Sequence, residues 1–244
     1  MATTRRTAQV AGGLFLLTHV TSIPALALYG EVLGDPGIVL GGGDPGRILL
    51  GALLEVLLAF GIVGTGVTMF ALVRHVDTAM GLGYAALRTL EAAVIVAGVV
   101  PLLALVTARA EVVASGTEDP AGLVALAGVL VSMHEWTFLI GPSLVCGANT
   151  TVLALVLHRS RLVPRFISTL GLVGGPLVLA AGTAQLFGVM EQLSTAAMVT
   201  ALPVFAWEVC LAVRLLARGL DPAAPAAALD AAARRDRPAA AVAG

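Results

Sequence analysis

Hydrophobic positions in this chain run in long unbroken blocks, neither alternating nor confined to one helical stripe. Six such blocks lie at about 8–29, 48–73, 81–108, 120–157, 166–189 and 195–217. Each can cross a hydrocarbon layer of about 30 Å, which takes about 20 helical residues. Continuous runs favour helices over a barrel, because a helix satisfies its own backbone in lipid and barrel strands alternate. Breakers separate the blocks: Gly41-Gly42-Gly43-Asp44-Pro45-Gly46 after the first and Ser115 to Pro120 after the third. Asp119 before Pro120 is a cap followed by a first-turn proline, the start signal of a helix. The predicted fold class is all-α: a polytopic membrane protein, a six-transmembrane-helix bundle with both termini cytoplasmic. The fourth block would exceed about 50 Å at about 1.5 Å per residue. It is expected to bend at Gly141-Pro142, or to begin as a separate outer segment.

Composition sharpens this. Hydrophobic residues make up 58% of 244 positions and charged residues 12%, about half the usual share of a soluble domain. An ordinary soluble enzyme, a nucleic-acid binder and a disordered chain are excluded. The net charge of -1 offers no basic field for nucleic acid. Cys146 and Cys210 sit in apolar stretches and imply no disulfide framework. All 14 cationic side chains are arginine. Arg5, Arg6, Arg74, Arg159, Arg161, Arg165, Arg214 and Arg218 fall on one side of the threading, Arg47 and Arg109 on the other. By the positive-inside rule the crowded side is cytoplasmic, which agrees with an even helix count. Arg5-Arg6 ahead of an apolar run ending in Ala25-Leu26-Ala27 also fits a signal peptide, but the run is longer than a signal core. Residues 1–218 are expected to form the membrane domain. Residues 219–244, rich in Ala, Pro and Arg, are expected to form a disordered cytoplasmic tail.

Several short motifs occur in a fixed order: Arg6-Thr7-Ala8, Ser22-Ile23-Pro24-Ala25-Leu26, Leu49-Leu50-Gly51-Ala52-Leu53-Leu54-Glu55, and Leu82-Gly83-Tyr84 with Arg88 and Glu91. His134-Glu135-Trp136-Thr137-Phe138 and Leu202-Pro203-Val204-Phe205-Ala206-Trp207-Glu208 complete the series. In this order the chain resembles the bacterial membrane family catalogued as domain of unknown function 4386, over residues ~5–218. The resemblance implies a multi-pass protein of the bacterial inner (plasma) membrane. It brings no substrate or reaction.

The candidate chemistry lies in ionisable groups at bilayer depth, where each costs at least ~2.5–3.5 kcal/mol and normally faces protein or a wet cavity. Counting at about 1.5 Å per residue puts His19, Arg88, Glu91 and Glu208 roughly 12–17 Å deep, near the midplane. Glu55, His134, Glu135 and Gln185 fall at about 27–35 Å, near the outer interface. Two polar tiers are therefore expected. Arg88 and Glu91, three apart, share a helix face and can pair. That pair is an internal salt bridge, or it leaves Glu208 less compensated, so that two carboxylates and a histidine form a proton relay or cation site. Glu135, Pro142 and Asn149 recur every seven residues and are expected near one face. Trp207, too deep for an interfacial belt, is a core residue or a cavity wall. Gly171, Gly174, Gly175 and Gly182 make a close-packing helix surface.

No phosphate loop, nucleophile elbow or dinucleotide fingerprint occurs, and no cofactor is expected. Three functions fit these residues. One is a small carrier or proton-linked transporter using the midplane carboxylates, whose partners are the lipid bilayer and a small solute or proton. A second is an intramembrane metal-dependent enzyme with Glu55, His134 and Glu135 as ligands; HExxH is absent and the balance leans away from an enzyme. The third is a non-catalytic sensor or assembly subunit, in which the polar groups simply pair and enclose no cavity.

Overall fold

The computed structural model describes residues 2–192 and 194–221, of which 87% are helical, with no strand among them. The helices are α1 (Ala2–Gly34), α2 (Pro45–Val73), α3 (Thr78–Ser115), α4 (Pro120–Phe138), α5 (Cys146–Ser160), α6 (Arg165–Leu186) and α7 (Thr195–Ala217). A π-helical stretch, Leu139–Val145, fuses α4 and α5 into one rod, so six helical rods are long and apolar enough to cross a membrane. This is a multi-pass membrane protein. Asp44 and Asp119, in the expected breakers, act as caps, as do Asp77 and Ser194: each accepts a hydrogen bond from a first-turn backbone N–H. α1 and α3 overrun their predicted ends because their last turns pack on a 3-10 helix, Pro36–Leu40, in the α1–α2 connection. Arg109 lies inside α3 and donates to the carbonyls of Gly41, Gly42 and Gly43, tying that connection down.

Each rod packs on its neighbours in sequence, and α7 returns to α1, so the rods close into a ring. Close approaches need glycine. A Cβ on Gly12 of α1 would meet the Ala212 carbonyl of α7 at 2.7 Å, and one on Gly171 of α6 would meet Trp207 at 2.8 Å. Trp207 is accordingly a core side chain, 1% exposed. A cluster of Ala8, Phe15, Met69, Tyr84, Leu157, Trp207 and Leu211 seals the ring towards the face where the described chain begins and ends. On that face the Asp221 N–H donates to the Leu162 carbonyl and Gly219 lies against Ala8. A second cluster, with Val32, Ile38, Ile48, Leu102 and Leu105, closes the α1–α4 side of the opposite face. Side chains such as Val20, Phe60, Val100, Val173 and Val213 point outward as an apolar belt suited to lipid contact. The part of the expected tail at 222–244 lies outside the described residues.

Candidate functional site

Arg88 occupies the middle of the ring. Glycines at 66 and 81 let α3 lie close to α2 and to the α2–α3 connection: a Cβ on Gly66 would already touch Arg88 Cβ at 3.1 Å. The guanidinium spreads over three partners. Its Nη1 donates to Glu91 Oε2 at 2.9 Å, its Nη2 to Glu208 Oε1 at 2.8 Å, and its Nε to the Tyr84 hydroxyl at 3.1 Å. The planar fork of arginine allows this, whereas a lysine would present one point charge. Asn149 of α5 donates a further bond to Glu91 Oε2 at 2.7 Å. The rings of Phe15 and Tyr84 lie 5.4 and 5.8 Å from the guanidinium carbon.

His19 completes the group from α1. Its Nδ1 lies 2.8 Å from the Phe15 carbonyl, which can only accept, so Nδ1 carries the hydrogen. Its Nε2 therefore faces Glu208 Oε2, 3.6 Å away, as the nitrogen that takes up a second proton. The four residues of the expected central tier thus stand together. Arg88 pairs with both carboxylates; Glu91 also accepts from the Asn149 amide, whereas the second oxygen of Glu208 only faces His19 Nε2.

The outer tier is only partly assembled. Glu55 accepts from the Tyr29 hydroxyl at 3.0 Å, and the Tyr29 ring meets His134 edge-on at 5.1 Å between centroids. His134 Nδ1 donates to the Gly98 carbonyl at 2.9 Å. Glu135 lines a separate small recess with Gln192, whose amide donates to the Glu135 carbonyl. Gln185 stands apart from both, on α6. Among the described residues no three His, Cys, Asp or Glu side chains converge as metal ligands would: His134 borders both the space of Glu55 and the recess of Glu135, but Glu135 and Glu55 line no common space.

The expected common face of Glu135, Pro142 and Asn149 is broken, and the reason is local. Pro142 has no N–H, and its ring crowds the preceding turn. The rod answers with π-type bonding: the Cys146 N–H reaches the Gly141 carbonyl, five residues back. The widened turn rotates the residues beyond it relative to those before it. Asn149 thereby points at Glu91, while Glu135 turns elsewhere.

The central tier and the Glu55–His134 part of the outer tier open on one space. A cavity of about 230 Å³ is lined by His19, Arg88, Glu91 and Glu208 at one end and Tyr29, Glu55 and His134 at the other. It adjoins a cleft of about 330 Å³ between α1, α6, α7 and the π turn, and Glu208, His19, Pro142 and Cys146 border both. The cleft runs past Gln185 and Gln192 towards the α6–α7 connection, away from the sealed face. Across nearly the whole ring, residues 10–219, the chain matches the family model described as domain of unknown function (DUF4386). The chain belongs to that family. No curated protein and no solved structure matches it. As a member of DUF4386 it joins a family of unassigned activity, and its chemistry is read from the site itself.

Four contributors were not singled out as site residues in the sequence. Tyr84 sits one helical turn before Arg88 and Phe15 one turn before His19, spacings visible in the sequence that by themselves point to no shared site. Tyr29 belongs to α1 and Glu55 to α2, and no sequence signal joins them. Asn149 was noted only for its place on the Pro142 rod.

Proposed function

We propose that this protein is a small carrier that couples movement of a solute to protons, with His19, Arg88, Glu91 and Glu208 as the coupling site. The single observation that supports this is the cavity: ionisable groups from α1, α3 and α7 pair with one another and still border an open volume. Purely structural pairing needs no such space. The volume is blocked towards the face with the chain ends by the Phe15–Trp207–Leu211 cluster and continues towards the opposite face, as one end state of a carrier would. Prolines inside the helices at Pro24, Pro101, Pro176 and Pro203, and Pro142 in the π turn, each remove a backbone donor and supply the compliance such a cycle uses.

Protonation is the natural switch in this geometry. Glu208 is held by one cation at Oε1, and its Oε2 stands 3.6 Å from His19 Nε2, a contact that becomes an ion pair only with a proton on the imidazole. A proton on Glu208 weakens its bond to Arg88 and leaves Glu91 as the stronger partner; a proton on His19 draws Glu208 towards α1. Either event changes which helices the cluster ties together. The test uses proteoliposomes with an entrapped pH indicator, to which a panel of small amines, amino acids and sugars is added. Wild-type vesicles show solute-dependent pH change, Glu208→Gln falls to the background of empty vesicles, and Glu208→Asp retains part of the flux. No response to any member of the panel, or wild-type flux from Glu208→Gln, overturns the proposal.

A further inference from the structure

The cleft between α1 and α7 has an unusual mouth. Near the sealed face the two helices touch along Ala8, Ala11, Gly12 and Phe15 against Leu211, Ala212 and Leu215. One turn further, the rings of His19 and Phe205 still meet at 5.0 Å. Beyond that contact the helices are separated by the cleft. Ile23 and Leu26 form one lip and Met198, Ala201 and Phe205 the other. Ile23, Met198 and Phe205 are 58%, 59% and 45% exposed. Outward-facing side chains on spanning helices face hydrocarbon, so this mouth opens sideways into the lipid layer as well as towards the α6–α7 connection.

The interior is apolar on its walls and charged at its floor. Val178 and Ala181 of α6 and Val204 of α7 line the way in, and Glu208 and His19 stand at the bottom. The charge there is unbalanced. Among the described residues Arg88 is the one arginine bordering the cavity, against the carboxyl groups of Glu55, Glu91 and Glu208. On the wall, Gln185 presents a buried Oε1 with no protein donor. Such a site complements a cation that brings its own N–H donors. An apolar cavity of about 150 Å³ already admits benzene, so 230 Å³ at the floor and 330 Å³ in the cleft accommodate a head group and part of a chain.

We propose that the cleft binds a single-chain amphiphile with a protonated amine head, taken from the membrane through the α1–α7 mouth, the ammonium on Glu208 and the chain between Ile23 and Met198. This names a substrate class for the carrier and rests on that function for its transport consequence, but the binding itself is separately measurable. In zwitterionic phosphatidylcholine proteoliposomes, decylamine bearing a diazirine on its chain is photolysed and the labelled residues are mapped by mass spectrometry. Saturable labelling is expected at Ile23, Leu26, Met198 and Ala201. Plain decylamine competes; decanol and decanesulfonate do not. Glu208→Gln weakens the competition by about tenfold or more, the scale of one lost charge-assisted contact. Ala201→Trp, on an exposed lip, blocks the mouth and removes the labelling at an unchanged melting temperature.

Unsaturable labelling spread over all lipid-facing helices overturns the inference, as does equal competition by decanesulfonate. Amine-selective labelling in vesicles that move no protons keeps the binding site and removes the carrier. Solute-coupled proton movement without amine-selective labelling keeps the carrier and removes the amphiphile.

Discussion

Arg88 is the residue on which the interior depends. Its side chain is 3% exposed, and its two ion pairs join α3 to α7 and to its own next turn. Removing one member of a buried ion pair costs about 3–5 kcal/mol, because the partner charge is left uncompensated. Arg88→Leu should therefore lower the melting temperature in detergent sharply, since it strands two carboxylates at once. The triple replacement of Arg88, Glu91 and Glu208 by leucine should recover much of that loss while abolishing any proton-coupled flux. A wild-type melting curve for Arg88→Leu would show that the pairs carry no structural weight. At this scale the sequence is informative only locally. The three-residue spacing puts Arg88 beside Glu91, and depth counting puts His19 and Glu208 at the same level. Nothing in the spacing says that one guanidinium serves both acids, because Glu208 lies 120 positions away and faces Arg88 only through ring closure.

Among the elements, the packing of α5 on α6 is the most exacting. A Cβ on Gly147 would lie 2.8 Å from the Gly175 carbonyl and from the Leu179 backbone nitrogen, and backbone cannot step aside as a side chain can. Gly147→Val should cost about 1–3 kcal/mol as overpacking, read as a lower melting temperature. Gly13→Ala, where nothing lies within 4 Å, should be neutral or stabilising by about 0.4–1 kcal/mol. Equal effects at the two positions would contradict the close approach. The α4–α5 rod makes the complementary point. Its excessive length and its Pro142 announce an irregularity in the sequence, but not its kind. A simple kink would have kept Glu135 near the face of Asn149, whereas the π turn rotates them apart and delivers Asn149 to Glu91.

For the whole molecule, ring closure brings both ends of the described chain to one face, with Gly219 against Ala8. From the arginine distribution we propose that this face is the cytoplasmic one. A fluorescent protein fused after the last residue should therefore glow and a fused periplasmic phosphatase should be inactive; the opposite pair of results would invert the threading. The same closure makes the interior a single space. Six rods arranged in sequence order leave a central volume that is sealed by apolar clusters at one end and on one flank of the other, and stays open between α1, α6 and α7.

The number of spanning rods, their approximate limits and the levels of the buried acids and bases were fixed along the chain itself. Helix length, hydropathy and the cost of burying charge are properties of consecutive residues, and they need no knowledge of neighbours. Contacts between elements were decided only in three dimensions: Arg88 shared by two carboxylates, Tyr29 on Glu55, Trp207 in the core, Glu135 apart from Glu55. They depend on helix rotation, on glycines that set interhelical distance, and on one π turn. Small changes in any of these re-aim a side chain without altering the hydrophobic pattern that places its helix in the membrane.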